Sequence, residues 1–68
     1  MPEKWTGDLI GRMHNERITF AQIGEELGVT KSYISMVLNG KRKPEGIQQR
    51  LEEAYARIIE RRSATQSA

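Results

Sequence analysis

The 68-residue chain contains no cysteine, one histidine, one tryptophan, one phenylalanine and two prolines. Without cysteine there is no disulfide framework and no thiolate metal site, and a single histidine, His14, forms no ligand cluster. No apolar run approaches the roughly 18 residues that a membrane span needs, and Met-Pro-Glu-Lys-Trp does not resemble a signal peptide. A soluble, cytoplasmic protein is therefore expected. The length admits one domain, whose thin core must rest on well-capped helices or on a partner. Charge of one sign is scarce as well: eleven Lys plus Arg against nine Asp plus Glu leave +2, too little to name a partner.

What is present is helical periodicity. Trp5, Leu9, Ile10 and Met13 fall on one face and predict a helix over about 5–15, its end blurred by Asn15-Glu16-Arg17. Thr19-Phe20-Ala21-Gln22 reads as a capping box, with Ile18 and Ile23 as the hydrophobic staple around it. Gly28 stops that helix, and Thr30 caps the next, flanked by a second staple of Val29 and Ile34. The third helix runs from about Lys31 to Leu38 and stops at Asn39-Gly40. Pro44 suits a first helical position and Glu45 the positive end of the dipole. Ile47, Leu51, Ala54, Tyr55, Ile58 and Ile59 then extend a fourth helix to about Arg61, roughly 27 Å long. The small polar segment 63–68 is expected to be a disordered tail beyond a 1–62 domain.

Two short helices joined through Leu27-Gly28-Val29-Thr30 cannot lie antiparallel, and a steep crossing is the helix-turn-helix unit. Such a crossing asks for a small residue at the contact. Gly24 sits there, although an interior glycine costs about 1 kcal/mol relative to alanine; simple tolerance of that glycine is the bland alternative. On the third helix Ile34, Val37 and Leu38 share the face to be buried. The opposite face carries Ser32, Ser35, Met36 and Asn39, with Lys31 at its start. A solvated face normally carries Glu and Lys, whereas short hydroxyls, an amide and a methionine methyl suit base edges in a major groove.

These residues resemble those of the Cro and phage-repressor type of helix-turn-helix regulators, often called the XRE-like family. The most specific matches are Leu27-Gly28-Val29-Thr30 and Leu38-Asn39-Gly40-Lys41, with Ile34 and Val37 between them, and the resemblance spans about Leu9 to Pro44. It implies an all-α, lambda-repressor-like domain, here of about four helices with a long last one. It also implies a bacterial or phage transcriptional regulator, most simply a repressor, whose third helix enters the major groove of double-stranded DNA. Lys31, Ser32, Ser35, Met36 and Asn39 are then the expected base contacts; Thr19, Gln22, Thr30, Tyr33, Lys41, Arg42 and Lys43 are the expected phosphate contacts. Two departures stand out. Phe20 occupies the place where many members carry a phosphate-clamping glutamine, which leaves that clamp to Thr19, Gln22 or first-turn amides. A single long fourth helix also replaces the usual fourth and fifth.

Charge placement points the same way. Between Leu27 and Pro44 lie four basic residues (Lys31, Lys41, Arg42, Lys43) and no acid, or +4; the remaining seven basic and nine acidic residues give −2. A three-residue basic run alone is more often a solvated turn; directly after a recognition-type helix it reads as a phosphate contact. His14 has no second ligand or catalytic carboxylate near it in sequence and reads as a surface or half-buried residue. Trp5 covers the core, and Glu52 and Glu53 form a solvated face, with Glu53 paired to Arg57 four residues on. No enzyme, cofactor, metal, membrane or small-molecule ligand is expected. Tyr55, Ile58 and Ile59 either pack back on Trp5 and Leu9 or form a homodimer seam. The competing function is a protein-interaction or antitoxin-like module that grips its partner with the fourth helix.

Overall fold

In a computed structural model, which describes residues 3–66, four helices and no strand are present among the described residues. They are α1 (Lys4–Asn15), α2 (Phe20–Leu27), α3 (Lys31–Leu38) and α4 (Ile47–Gln66). Their apolar faces meet in one core, in which Leu9, Ile23, Ile34, Leu51 and Ala54 are wholly covered and Met13, Ile18, Val37, Leu38, Ile47 and Ile58 nearly so. None of the helices is long and apolar enough to cross a membrane.

The first three helices end alike. In each, one amide just past the end bonds back to a carbonyl five residues earlier and the preceding amide to one three residues earlier, the Schellman arrangement. The pairs are Ile18 to Met13 and Arg17 to His14 after α1, Val29 to Gly24 and Gly28 to Glu25 after α2, and Lys41 to Met36 and Gly40 to Val37 after α3. Each needs one residue with left-handed backbone. Gly28 (φ 77°) and Gly40 (φ 81°) supply it without strain, but after α1 the position falls to Arg17 (φ 57°). A side chain there costs roughly 1–2 kcal/mol. Arg62 from α4 donates to the carbonyls of Glu16 and Arg17 and holds this corner. Replacing Arg17 with glycine relieves the strain at some entropic cost in the unfolded chain. The expected net gain is about 0.5–1 kcal/mol, seen as a melting temperature higher by roughly 2–8 °C.

α2 and α3 are separated by Gly28, Val29 and Thr30 alone. At Gly24 an added Cβ would lie 2.7 Å from the Val29 carbonyl oxygen and 3.3 Å from the Thr30 carbonyl carbon. The close approach expected at Gly24 is therefore present, and it is backbone that approaches. Both N-caps form as read: Thr19 and Gln22 make the reciprocal capping box, and the Thr30 hydroxyl oxygen accepts from the Tyr33 amide.

α4 departs from the expectation at both ends. It begins at Ile47, not Pro44, because Gly46 (φ 74°) takes a left-handed conformation that a right-handed helix does not propagate. Instead the Pro44 carbonyl accepts the Ile47 amide in a turn. At the other end the helix continues to Gln66, so 63–66 are helical rather than tail; residues 67 and 68 lie outside the described ones. The segment has no glycine or proline to stop it, and extending an existing helix adds one hydrogen bond per residue fixed.

Arginines fasten the distal half of α4 to the body. Arg57 and Arg61 both pair with Glu26 of α2. Arg12 of α1 pairs with Glu52 and lies over the Tyr55 ring, 5.2 Å from its centre. The pairing expected between Glu53 and Arg57 does not form: Arg57 reaches across to Glu26, while Glu53 accepts from Gln49. The hydrogen bond from Arg61, with its charge and that of Arg57, holds the Glu26 carboxyl below its ordinary pKa. A lowered carboxylate pKa stabilises the fold above the ordinary range, and that stabilisation is lost as pH falls through the folded-state value.

Candidate nucleic-acid interface

α3 is held by its buried face, Ile34, Val37 and Leu38, so its orientation is fixed by the core. The other face is left open: Lys31, Ser32 and Asn39 are exposed, Ser35 and Met36 half-exposed. This is the base-contacting set expected from the sequence, and it falls on one side of one helix. Within it Asn39 Nδ2 donates to Ser35 Oγ at 3.2 Å.

The residues expected from the sequence to contact phosphates gather into three groups. Thr19 and Gln22 form one, at the start of α2. The box consumes their acceptors, since Thr19 Oγ1 takes the Gln22 amide at 3.1 Å and Gln22 Oε1 takes the Thr19 amide at 2.7 Å. It leaves their donors, the threonine hydroxyl proton and the glutamine NH₂, beside the first-turn amides of Phe20 and Ala21, which have no acceptor within the helix. A capped helix end of this kind offers donors and positive dipole to an anion. Phe20 itself is half-buried against the core, which explains an apolar residue at this position. Thr30 and Tyr33 form the second group, at the start of α3. There the Thr30 hydroxyl proton is again left over, whereas Tyr33 is half-buried with its side chain packed on the core.

Lys41, Arg42 and Lys43 form the third group, all exposed. This loop is tied to α3, because the amides of Lys41 and Arg42 both donate to the Met36 carbonyl, at 2.9 and 3.3 Å. The basic charge is therefore carried on the end of the helix that presents the serines.

Sequence reasoning missed one member of this neighbourhood. Glu3 accepts from the Trp5 indole N–H at 2.7 Å and lies 3.8 Å from Lys43 Nζ. Glu3 thus places an acid beside the basic loop from 40 positions away, and no local pattern announces such a contact. Between the start of α1 and the loop runs an open groove of about 600 Å³, its apolar lining made by Trp5, Val37, Pro44 and Ile47. Trp5 covers the core as expected, but from the rim of this groove.

The distal α4 residues are divided. Ile58 is 6% exposed and belongs to the chain's own core, while Tyr55 and Ile59 are half-covered against it. His14 is exposed, as read. No protein-family model, curated protein or solved structure matches the chain.

Proposed function

We propose that this chain binds double-stranded DNA in a sequence-specific manner, as a small bacterial or phage transcriptional regulator acting in the cytoplasm, with α2 and α3 as its helix-turn-helix unit. The observation that carries this reading is the composition of the free face of α3. Two serines, an asparagine, a methionine and a lysine face outward from a helix whose other side is core, and a three-residue basic loop is bonded to its end. Base edges are read by hydrogen-bonding and small apolar groups of that kind, and phosphates by cations flanking them. The donors left over at the capped starts of α2 and α3 add phosphate contacts. Repression by occupying a promoter is the simplest mode of action for such a face.

A homodimer fits the reading, since two-fold dimers present two recognition helices to half-sites about 34 Å apart. Ile58 is already used in the core, so among the described residues Tyr55 and Ile59 are the large apolar side chains of distal α4 left for a second copy. The same loss weakens the interaction-module alternative.

Fluorescence anisotropy with a mixed-sequence duplex tests the electrostatic part. With four to six phosphates neutralised, log affinity is expected to fall with log salt at a slope of roughly −4 to −5. Failure to retain any duplex at low salt, by protein shown to be folded, overturns the reading.

A further inference from the structure

We propose that Asn39 is a positioning residue that turns the Ser35 hydroxyl into a fixed hydrogen-bond donor, so that Ser35 selects a base edge presenting an acceptor. The inference rests on the duplex-binding reading above and goes past it to the chemistry of one base contact.

A serine hydroxyl has one proton and two lone pairs, and it ordinarily serves as donor or acceptor as its partner requires. Left free, Ser35 would discriminate poorly. It is not free, because Asn39, one helical turn on, donates from Nδ2 to Ser35 Oγ at 3.2 Å. The Asn39 amide also donates to the Ser35 carbonyl at 2.9 Å, so backbone and side chain of Asn39 are both held on Ser35. An N–H directed at Oγ occupies a lone pair and turns the hydroxyl proton away from Asn39. Accepting one hydrogen bond also makes an oxygen a better donor of the next. Among the described residues no acceptor takes this proton. Ser35 therefore turns its O–H and one remaining lone pair toward whatever approaches the open face of α3, and the bond it accepts from Asn39 favours its donating.

In the major groove the acceptors are N7 and O6 of guanine, N7 of adenine and O4 of thymine; the amino groups of cytosine and adenine are donors. Ser35 is thus best suited to guanine or thymine, whose edges only accept, and least suited to cytosine, whose edge only donates, while adenine offers both. Asn39, expected from the sequence to contact bases itself, has its amide plane set by Ser35 and acts through it.

The polarity of the pair can be inverted. In Asn39→Asp the carboxylate only accepts, so the Ser35 hydroxyl turns inward to donate and shows its lone pairs outward. Site selection from a random duplex library is run on wild type, Ser35→Ala, Asn39→Ala and Asn39→Asp, each checked for helicity. Ser35→Ala identifies the base-pair position that Ser35 reads, as the one whose preference flattens. The expected result at that position is a preference of about five- to tenfold for guanine or thymine over cytosine in wild type, lost in Asn39→Ala and reversed in Asn39→Asp. Other positions keep their preferences, although the added negative charge lowers affinity throughout. Adding Ser35→Ala to Asn39→Asp should abolish the reversal.

An unchanged consensus in Asn39→Asp overturns the inference alone and means that Ser35 donates toward Asn39 in the wild type. A loss of preference spread evenly over all positions in Asn39→Ala also overturns it and makes Asn39 a phosphate contact or a helix end. Absence of any consensus in wild type overturns the duplex reading together with this one.

Discussion

Replacing Gly24 with alanine is expected to destabilise the domain by about 2 kcal/mol, even though alanine is the better helix former by about 1 kcal/mol. The new methyl group would stand 2.7 Å from the Val29 carbonyl oxygen and 3.3–3.4 Å from the Thr30 carbonyl atoms. These are backbone atoms of the turn itself, so no side chain can swing aside. Relief requires α2 and α3 to move apart, which loosens the 2.8 Å hydrogen bond from the Val29 amide to the Gly24 carbonyl and the packing of α2 on α3. A domain of this size has roughly 3–10 kcal/mol of stability in all, so the melting temperature should drop by roughly 8–16 °C. Gly11→Ala is the control. Gly11 is an exposed residue inside α1 with nothing within 4 Å of an added Cβ, and alanine there should raise stability by about 0.5–1 kcal/mol. Thermal melts that show both substitutions stabilising would remove the close approach from the account of α2 and α3.

The second large effect concerns binding. Changing Lys41, Arg42 and Lys43 together to alanine is expected to lower affinity for every duplex by about two to three orders of magnitude at 0.1 M salt. Each phosphate contact contributes about 0.9 to the slope of log affinity on log salt, so the slope should flatten by about 2 to 3. The lower end applies if Lys43, already 3.8 Å from the Glu3 carboxylate, contributes little. The fold should be unaffected, because all three side chains are exposed and the loop is held by its own amides. Preference among sequences should survive, since phosphate contacts position the protein without reading bases. Titrations of two or three duplexes over a range of salt check each point, and a loss confined to one duplex would contradict the assignment of these residues to phosphates.

Legibility of the structure in the sequence followed the range of the interactions. The capping box at Thr19, the N-cap at Thr30 and the glycine stops after α2 and α3 involve residues three to five apart, and all are readable. The end of α1 uses the same backbone arrangement but places Arg17 where glycine is usual, so the signal was weak even though the geometry is the same. Pro44 looked like a helix start on its own, and only the left-handed Gly46 two residues later overrides it. The α4 contacts were the least readable. Glu53 and Arg57 have the spacing of a pair, yet Glu26, 31 positions from Arg57, takes the arginine instead. The candidate interface was legible as a set of exposed residue types on one helix. Its internal wiring, Asn39 to Ser35, the loop amides to Met36 and Glu3 to Lys43, depends on side-chain directions and on a contact between the first residues and the basic loop.

The central claim is that α3 reads bases while the loop after it holds phosphates. Site selection from a random duplex library, repeated with Ser32, Ser35 and Met36 changed to alanine, tests it most directly. The expected result is a defined consensus for wild type, palindromic if the protein binds as a dimer, that is lost in the α3 variant while mixed-sequence affinity and its salt slope stay nearly unchanged. Recovery of the same consensus by the α3 variant, or no enrichment by folded wild-type protein, would contradict it.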